Sequence, residues 1–434
     1  MEKLKFIDLF AGIGGTRLGF ERACELAGII PDCVFTSEIK DYAVKVYKNY
    51  FGNHIVHGDI TLIDTDSIPN FDVLLGGFPC QAFSSAGKRK GFLDTRGTLF
   101  FEIERILRKK RPRAFILENV EGLLTHDRID KKSKIGRTME TILHNLKSMD
   151  YKVSYKVLNS KDFGLAQDRK RLFIVGSLEK EVPLCDFKNK SQKFKDVMEQ
   201  GLPELKSELT SALLSHYAPE DLYGKAIKDK RGGKNNIHSW DLGLKGEVSK
   251  EQIKILNKLL TERRKKHWAE KKQIVWMDGM PLTENEIKTF YDSVELNQLL
   301  NDLVVKGYLK FEHPKEQIKK QEGNRSWVYR VPAKDKEKGY NIVTGKLSFE
   351  LSKILDPEGI TPTLVATDLS KLGVIDEGKI RKISKRECLR LFGFPEDFVI
   401  NIPINKAYDL LGNTIAVPVV TSVAEKLISN LTIQ

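Results

Sequence analysis

Cysteine is scarce in this 434-residue sequence: there are five, an odd number, and none sits in a Cys-x-x-Cys pair. That excludes a disulfide framework and a zinc knuckle, and leaves room for one thiol kept for its chemistry. Long apolar runs are missing too. None approaches the ~18 residues of a membrane span, which excludes a membrane protein. The start, Met1-Glu2-Lys3-Leu4-Lys5, lacks a signal-peptide apolar stretch, so a cytoplasmic location is expected. No internal repeat or low-complexity tract breaks the sequence. With 41% hydrophobic and 30% charged residues the chain is not broadly disordered, and its length predicts two domains.

Acidic residues fall short of basic ones, 59 against 72, for a net charge of +13. Such a surplus suits a polyanionic partner. The imbalance is uneven: residues 1–80 carry −4, so the remainder carries +17. Lys88–Arg113 holds ten basic residues and three acidic ones, the pattern either of a solvated helix face or of a phosphate-contacting segment.

Lys5–Leu9 is an apolar run ending in the turn Ala11-Gly12-Ile13-Gly14-Gly15, and a helical pattern follows to about Ala27. Cys33–Ile39, Val56–Ile60, Val73–Gly77, Ala114–Glu118 and Leu172–Gly176 are further short apolar runs, with helical patterns such as Asp41–Tyr50, Thr98–Lys109 and Thr138–Met149 between them. Strands alternating with helices predict an α/β fold with a doubly wound, mainly parallel Rossmann-like sheet. The rhythm breaks after Leu178. Residues 180–341 are lysine-rich, with capping-box starts at Ser249-x-x-Gln252 and Thr283-x-x-Glu286, a helix over Val294–Val305 ending at Gly307, and strands at Tyr308–Glu312 and Trp327–Val331 joined by a polar loop. Helix, helix, hairpin over 249–331 is the order of a winged helix-turn-helix. The expected division is therefore a first catalytic part over 1–179, an inserted domain over 180–341, and a return segment over 342–434.

Glycines at a strand-to-helix turn let backbone approach a ligand. No Lys-Ser/Thr follows Gly15, which removes a phosphate loop of the Walker type, and the spacing departs from GxGxxG. An adenosyl cofactor without a pyrophosphate fits better, with Glu38 placed to grip a ribose diol and Asp59 to accept from an adenine amino group. Gly77-Phe78-Pro79-Cys80 follows a strand; its cysteine is either a small buried hydrophobe or a ligand-facing thiol. Glu118 closes an apolar strand as a helix cap or as an acid whose pKa burial raises. Arg169 and Arg171, at alternate positions, share a face suited to an acceptor-rich ligand, or form surface ion pairs.

As an ordered set these stretches resemble the DNA (cytosine-5)-methyltransferases. The family's cofactor motif is similar to Phe6–Gly15, its nucleophile motif to Gly77–Ser84, its acidic motif to Glu118-Asn119-Val120 and its arginine motif to Gln167–Arg171. Its late motifs are similar to Arg386–Pro395 and Gly412-Asn413-Thr414. Coverage is residues 4–178 and 342–430; the family's variable target-recognition region would lie between. The resemblance implies S-adenosyl-L-methionine as cofactor, held by Phe10 against the adenine, by Gly12, Gly14 and Gly15, by Glu38 on the ribose, and by Ile39, Asp59, Ile60, Leu99 and Asn413. It implies Cys80 as the thiolate that adds to cytosine carbon 6, Glu118 at ring nitrogen N3, Arg171 at the base oxygen O2, and Arg169 supporting the loop or a phosphate.

The substrate implied is cytosine flipped out of double-stranded DNA. The basic stretch from Lys88 would close over the backbone. The winged-helix-like segment over 249–331, with Asn297, Gln298 and Asn301 on its recognition helix, would approach the major groove with the loop Arg231–Trp240 and read sequence. A compact member without regulatory domains is expected to act as a monomer in a bacterial restriction–modification pair, sharing its site with a cognate restriction endonuclease and touching the nucleoid through DNA alone. The rivals are an RNA cytosine-5 methyltransferase acting on tRNA and a DNA-binding regulator on an inactive scaffold. The inserted region weighs against the first; Cys80, Glu118 and Arg171 together weigh against the second. A nicotinamide-linked dehydrogenase fails on the glycine spacing.

Overall fold

Val73–Gly76 (strand β4) is buried at every position, as a parallel strand covered on both faces must be. The computed structural model describes residues 3–52, 54–78, 99–130, 132–275, 279–322, 325–344 and 349–431. With β4, among these residues, run β1 (Lys3–Leu9), β2 (Ile30–Ser37), β3 (Val56–His57), β5 (Ala114–Val120), β6 (Lys152–Asn159) and β7 (Lys170–Ser177), in the sheet order β3-β2-β1-β4-β5-β7-β6. The β1, β2, β3, β4 and β5 pairings are parallel; β7 lies antiparallel between β5 and β6. The sheet is thus mainly parallel with an antiparallel edge, within a mixed α/β fold.

Alternation along each strand divides the apolar side chains between two cores. Phe6, Val73, Leu75, Ala114 and Ile116 face one layer with Phe20 and Val420. Ile7, Leu9, Leu74, Phe115 and Leu117 face the other with Phe100, Ile103 and Ile142. Helix α1 (Gly15–Leu26) packs in the first layer, α3 (Leu99–Lys110) and α4 (Arg137–Lys147) in the second, and α2 (Asp41–Phe51) follows β2. In α3 the buried positions are Phe100, Ile103, Ile106 and Leu107, the spacing of one helix face. Gly19 lets α1 meet the helix Val417–Ile428 closely: a Cβ there would lie 2.5 Å from the Val420 Cβ. Ile404–Ile428 reaches a mean hydropathy of 1.2, but it is two helices, and 72% of its most apolar window is buried inside the fold.

Several bounds differ from the sequence reading. The strand expected over Val56–Ile60 stops at His57, because Asp59 caps a short 3-10 turn by accepting from the Thr61 amide at 3.0 Å. Strand β5 runs on through Glu118 to Val120, where β7 continues the ladder opposite it, Val120 against Arg171. Lys152–Asn159 is an edge strand that the sequence pattern does not suggest.

The chain falls into two compact units, one made of Met1–Gln200, Asp356–Ser370 and Ile383–Gln434, the other of Gly201–Leu355 and Lys371–Lys382. In the second, both capping boxes form, at Ser249/Gln252 and Thr283/Glu286, and Gly307 takes a φ of 78° after the helix Leu296–Val305. Its core packs Trp240, Leu256, Leu259, Leu300, Tyr308 and Tyr340. One pairing departs from expectation: Leu309–Glu312 pairs with Gly339–Ile342, not with the strand containing Trp327. The stretch expected as a polar loop is itself a strand, Lys315–Glu322, paired with Arg325–Pro332. Its lysines and glutamines carry little strand propensity, and the cross-strand partner supplies it.

Candidate active site

Strand order reverses at β1, which has β2 on one side and β4 on the other. Outside the carboxyl ends of strands at such a switch point, loops diverge and leave a crevice. Here the crevice is a cavity of about 520 Å³, within the range of small-molecule sites. Phe10, Gly12 and Gly15 line it from the β1–α1 turn, Glu38 and Ile39 from the end of β2, and Asp59 and Ile60 from beyond β3. Gly77 and Phe78 enter after β4, Leu99 at the start of α3, Glu118 from β5, Arg169 and Arg171 at β7, and Asn413 from the late segment. Gly14 does not line it. That glycine takes a left-handed φ of 86° ahead of α1, and a Cβ on it would lie 2.2 Å from the Phe51 ring, so its task is the turn itself.

Phe10 holds a φ of 57°, a backbone region that bulky residues rarely occupy, and such strain persists where the surroundings over-determine it. Gly12 has a φ of 55° and nothing within 4 Å of where a Cβ would stand. Conformation, rather than crowding, requires glycine there, and the space stays open. The Gly12 amide donates to Glu38 Oε2 at 2.8 Å and the Lys40 amide to Oε1 at 2.8 Å. One backbone donor on each oxygen fixes this carboxylate at the cavity wall with acceptor capacity to spare. Among the described residues Asp59 accepts on Oδ1 alone, from the Thr61 amide and hydroxyl. The Asn413 amide donates to the Asp409 backbone carbonyl at 2.8 Å.

The Arg171 Nε lies 2.9 Å from Glu118 Oε1, and each side chain keeps 17% of its surface exposed. Burial pushes the Glu118 carboxyl above its ordinary value, while Arg171 and then Arg169 pull it back down. Arg169 is buried and donates to three main-chain carbonyls: Leu364 at 2.9 Å, Thr414 at 2.7 Å and Gly412 at 3.3 Å. It therefore ties β7 to the 364 and 412–414 segments of the cavity wall. Gln167 extends the tie, with Nε2 donating to the Leu391 carbonyl and Oε1 accepting from the Leu364 amide. Sequence pattern alone assigns neither Gln167 nor Asn119 a task. Asn119 is buried and its amide donates to the Phe78 carbonyl at 3.1 Å, pinning the chain just before position 79. Its place one residue after Glu118 is the signal that points to it.

Cys80 and the basic residues Lys88, Arg89, Lys90 and Arg96 lie outside the described residues. The four described thiols are Cys24, Cys33, Cys185 and Cys388. Burial pushes Cys24 up to about 12 and Cys33 to about 11, and it raises Cys388 well above the ordinary thiol range; a hydrogen bond to Asp186 raises Cys185. None of these four is poised as a thiolate. In the second unit, Asn297 donates to Glu284 at 2.6 Å and Asn301 to Asn297 at 2.9 Å. Trp240 is buried, with His238 stacked against it at 4.5 Å between ring centroids.

Asp8, next to the turn and fully buried, has no hydrogen-bond partner on either oxygen among the described residues. Burial pushes its carboxyl up to about 8; Arg17 opposes the shift, and Glu21 and Glu38 add to it. The folded state therefore holds a proton that the unfolded chain releases near pH 4, and its stability falls as pH rises from about 4 to about 8. Asp8→Asn should remove that dependence. Relative to the parent, the variant should gain up to about 1.4 kcal/mol per pH unit across the window. Paired thermal melts at pH 5 and pH 8.5 check it: a melting-temperature difference that stays constant would refute the buried proton.

The model of the C-5 cytosine-specific DNA methylases matches residues 4–429. The chain is 53% identical over 431 residues to the Type II methyltransferase M.NlaIV of Neisseria lactamica, covering 99% of this chain and all of that protein. It is 52% identical to the Type II methyltransferase M.NgoBV of Neisseria gonorrhoeae, with the same coverage, and 41% identical to M.BanI of Aneurinibacillus aneurinilyticus, over 99% of this chain and 96% of that one. Among solved structures, the methyltransferase EhMeth of Entamoeba histolytica superposes with a TM-score of 0.53 at 15% identity, covering all of both chains. The likeness to that structure is one of fold.

Proposed function

The chain belongs to the C-5 cytosine-specific DNA methylases, and from that premise we propose how its cavity methylates carbon 5 of cytosine in DNA as the modifying half of a restriction–modification system. The observation that carries the proposal is the Glu118–Arg171 pair, set in the wall of the same cavity as the glycine turn and Glu38. An acid and a forked donor stand beside a cradle for an adenosyl group.

The residues fit S-adenosyl-L-methionine. Phe10 offers an aromatic face for an adenine, the fixed Glu38 carboxylate has acceptor capacity for a ribose diol, and the open space at Gly12 admits a ligand against backbone. Ile39, Asp59, Ile60, Leu99 and Asn413 complete the enclosure. When bound, the cofactor supplies a methyl group on a sulfonium.

Everything else falls to the protein's own side chains. Carbon 5 of cytosine is a poor nucleophile until a thiolate adds to carbon 6, and Cys80 is the residue for that addition. Once carbon 5 carries the methyl group, loss of its proton to a base and expulsion of the Cys80 sulfur restore the aromatic ring. Glu118 in its neutral form donates to N3, drawing electron density from carbon 6 as the new bond forms. Arg171 pairs with Glu118 and offers its remaining donors to O2. Arg169 positions this wall without touching the base. The cytosine must leave the helix to reach the cavity, at a cost of a few kcal/mol. The second unit, Gly201–Leu355 with Lys371–Lys382, is the target-recognition region in this scheme, and a nuclease reading the same site would be its genetic partner rather than a bound one.

A duplex carrying 5-fluorocytosine tests the reading. Fluorine cannot leave as the C5 proton does, so thiol addition followed by methyl transfer should leave protein and DNA joined. With cofactor present we expect a denaturation-resistant adduct whose cross-linked peptide contains Cys80. Absence of any adduct on 5-fluorocytosine-containing duplexes of varied sequence, with cofactor present, would sink the proposal.

A further inference from the structure

Lys315–Glu322 and Arg325–Pro332 pair only with each other among the described residues, as a free-standing antiparallel ribbon. Free-standing ribbons are marginal unless something packs on them, yet Ile318, Trp327, Val328 and Tyr329 keep 46, 38, 55 and 50% of their surface exposed. The two strands carry five basic residues, Lys315, Lys319, Lys320, Arg325 and Arg330, against two acidic, Glu316 and Glu322. Register places Gln317 directly across from Arg330, so the two project from one face. Neither side chain is tied to a described neighbour. By contrast, Asn297 and Asn301 of the helix expected to read sequence are spent on Glu284, on each other and on the Tyr340 hydroxyl.

The DNA major groove admits a two-stranded ribbon, and the side chains that discriminate bases there are forked donors: arginine on guanine O6 and N7, glutamine on adenine N6 and N7. We propose that this ribbon enters the major groove of duplex DNA with its Gln317–Arg330 face on the base edges, Arg330 selecting a guanine. The positive balance of the ribbon suits the phosphate walls on either side. Ile318, Trp327 and Tyr329, on the opposite face, have no forked donors and turn away from the bases. The inference rests on the reading of this chain as an enzyme acting on duplex DNA and assigns a reader to it.

The test uses the full chain with a pool of duplexes randomised around cytosines, sequencing both the duplexes retained at equilibrium and the positions of 5-methylcytosine. Arg330→Ala should relax discrimination at one guanine by about 10- to 100-fold while methylation of the pool continues. Arg330→Lys keeps the charge but not the fork and should relax the same position. Gln317→Ala should relax the adjoining one. All three changes are at exposed positions, and far-ultraviolet circular dichroism checks the fold. Unchanged preference in both Arg330 variants would overturn the proposal. So would a loss spread evenly over all sequences with a salt slope reduced by about one, which marks a phosphate contact. Unchanged preference together with an oligomeric state altered by Tyr329→Ala would make the ribbon a protein-docking element instead, and also overturns it. Retained-duplex preferences read the ribbon independently of chemistry: Arg330-dependent selection without any 5-methylcytosine would sustain the ribbon and overturn the methylation reading.

Discussion

Cys80→Ser should end methyl transfer to duplex DNA, lowering kcat by about 10⁴-fold or more, while equilibrium binding to the same duplex persists. A serine hydroxyl is almost wholly protonated at neutral pH and far less nucleophilic than a thiolate, so carbon 6 receives no partner and carbon 5 stays aromatic. Cys185→Ser is the matching control. Its thiol is exposed, raised by Asp186 and not among the residues lining the cavity, and its loss should leave turnover unchanged. Tritiated-methyl transfer and gel mobility, measured on the same preparations, check both. Substantial activity in Cys80→Ser would remove the nucleophile from the mechanism, whatever became of the cofactor site.

Glycine and carboxylate positions around the cavity are legible in the amino-acid sequence, because the constraints on them are local. A turn that needs positive φ wants glycine, and a strand ending at Glu38 brings its carboxylate to the edge where parallel strands end. Gly14 shares the turn but is not among the residues lining the cavity, and a Cβ on it would meet Phe51. Nothing in a one-dimensional pattern says to which side a left-handed residue turns its Cα. Gln167, Asn119 and the carbonyl contacts of Arg169 are hidden for another reason. Their partners lie at Leu391, Phe78, Leu364 and Thr414, and pairings across up to 245 residues have no trace in spacing. The edge strand Lys152–Asn159 escapes notice because lysines at positions 152 and 156 break its apolar rhythm, as charges on edge strands commonly do. The paired strand Lys315–Glu322 repeats the lesson: its register comes from Arg325–Pro332, not from its own composition.

Glu118→Gln should lower kcat/KM by about 10²- to 10⁴-fold, the usual weight of a positioned acid, and should also erase a pH dependence. Burial raises the Glu118 carboxyl and Arg171 opposes it, so the neutral form persists above the ordinary carboxylate range but is lost as pH climbs through the raised value. Since the neutral acid is the one that donates to N3, the parent's kcat/KM should fall on the alkaline side of that value. In Glu118→Gln the fall should vanish, because an amide does not titrate. Arg171→Ala should move the limb the other way. Without the guanidinium 2.9 Å from Oε1, the carboxyl rises further and the limb shifts to higher pH, even as the lost O2 contact weakens binding of the base. A purely structural Glu118 would predict something different: a uniform loss at all pH values and no displacement of the limb by Arg171→Ala. Adduct formation with the 5-fluorocytosine duplex should separate the two further. Acid assistance speeds thiol addition without being its source, so Glu118→Gln should still form the adduct, slowly, at the sulfur of Cys80.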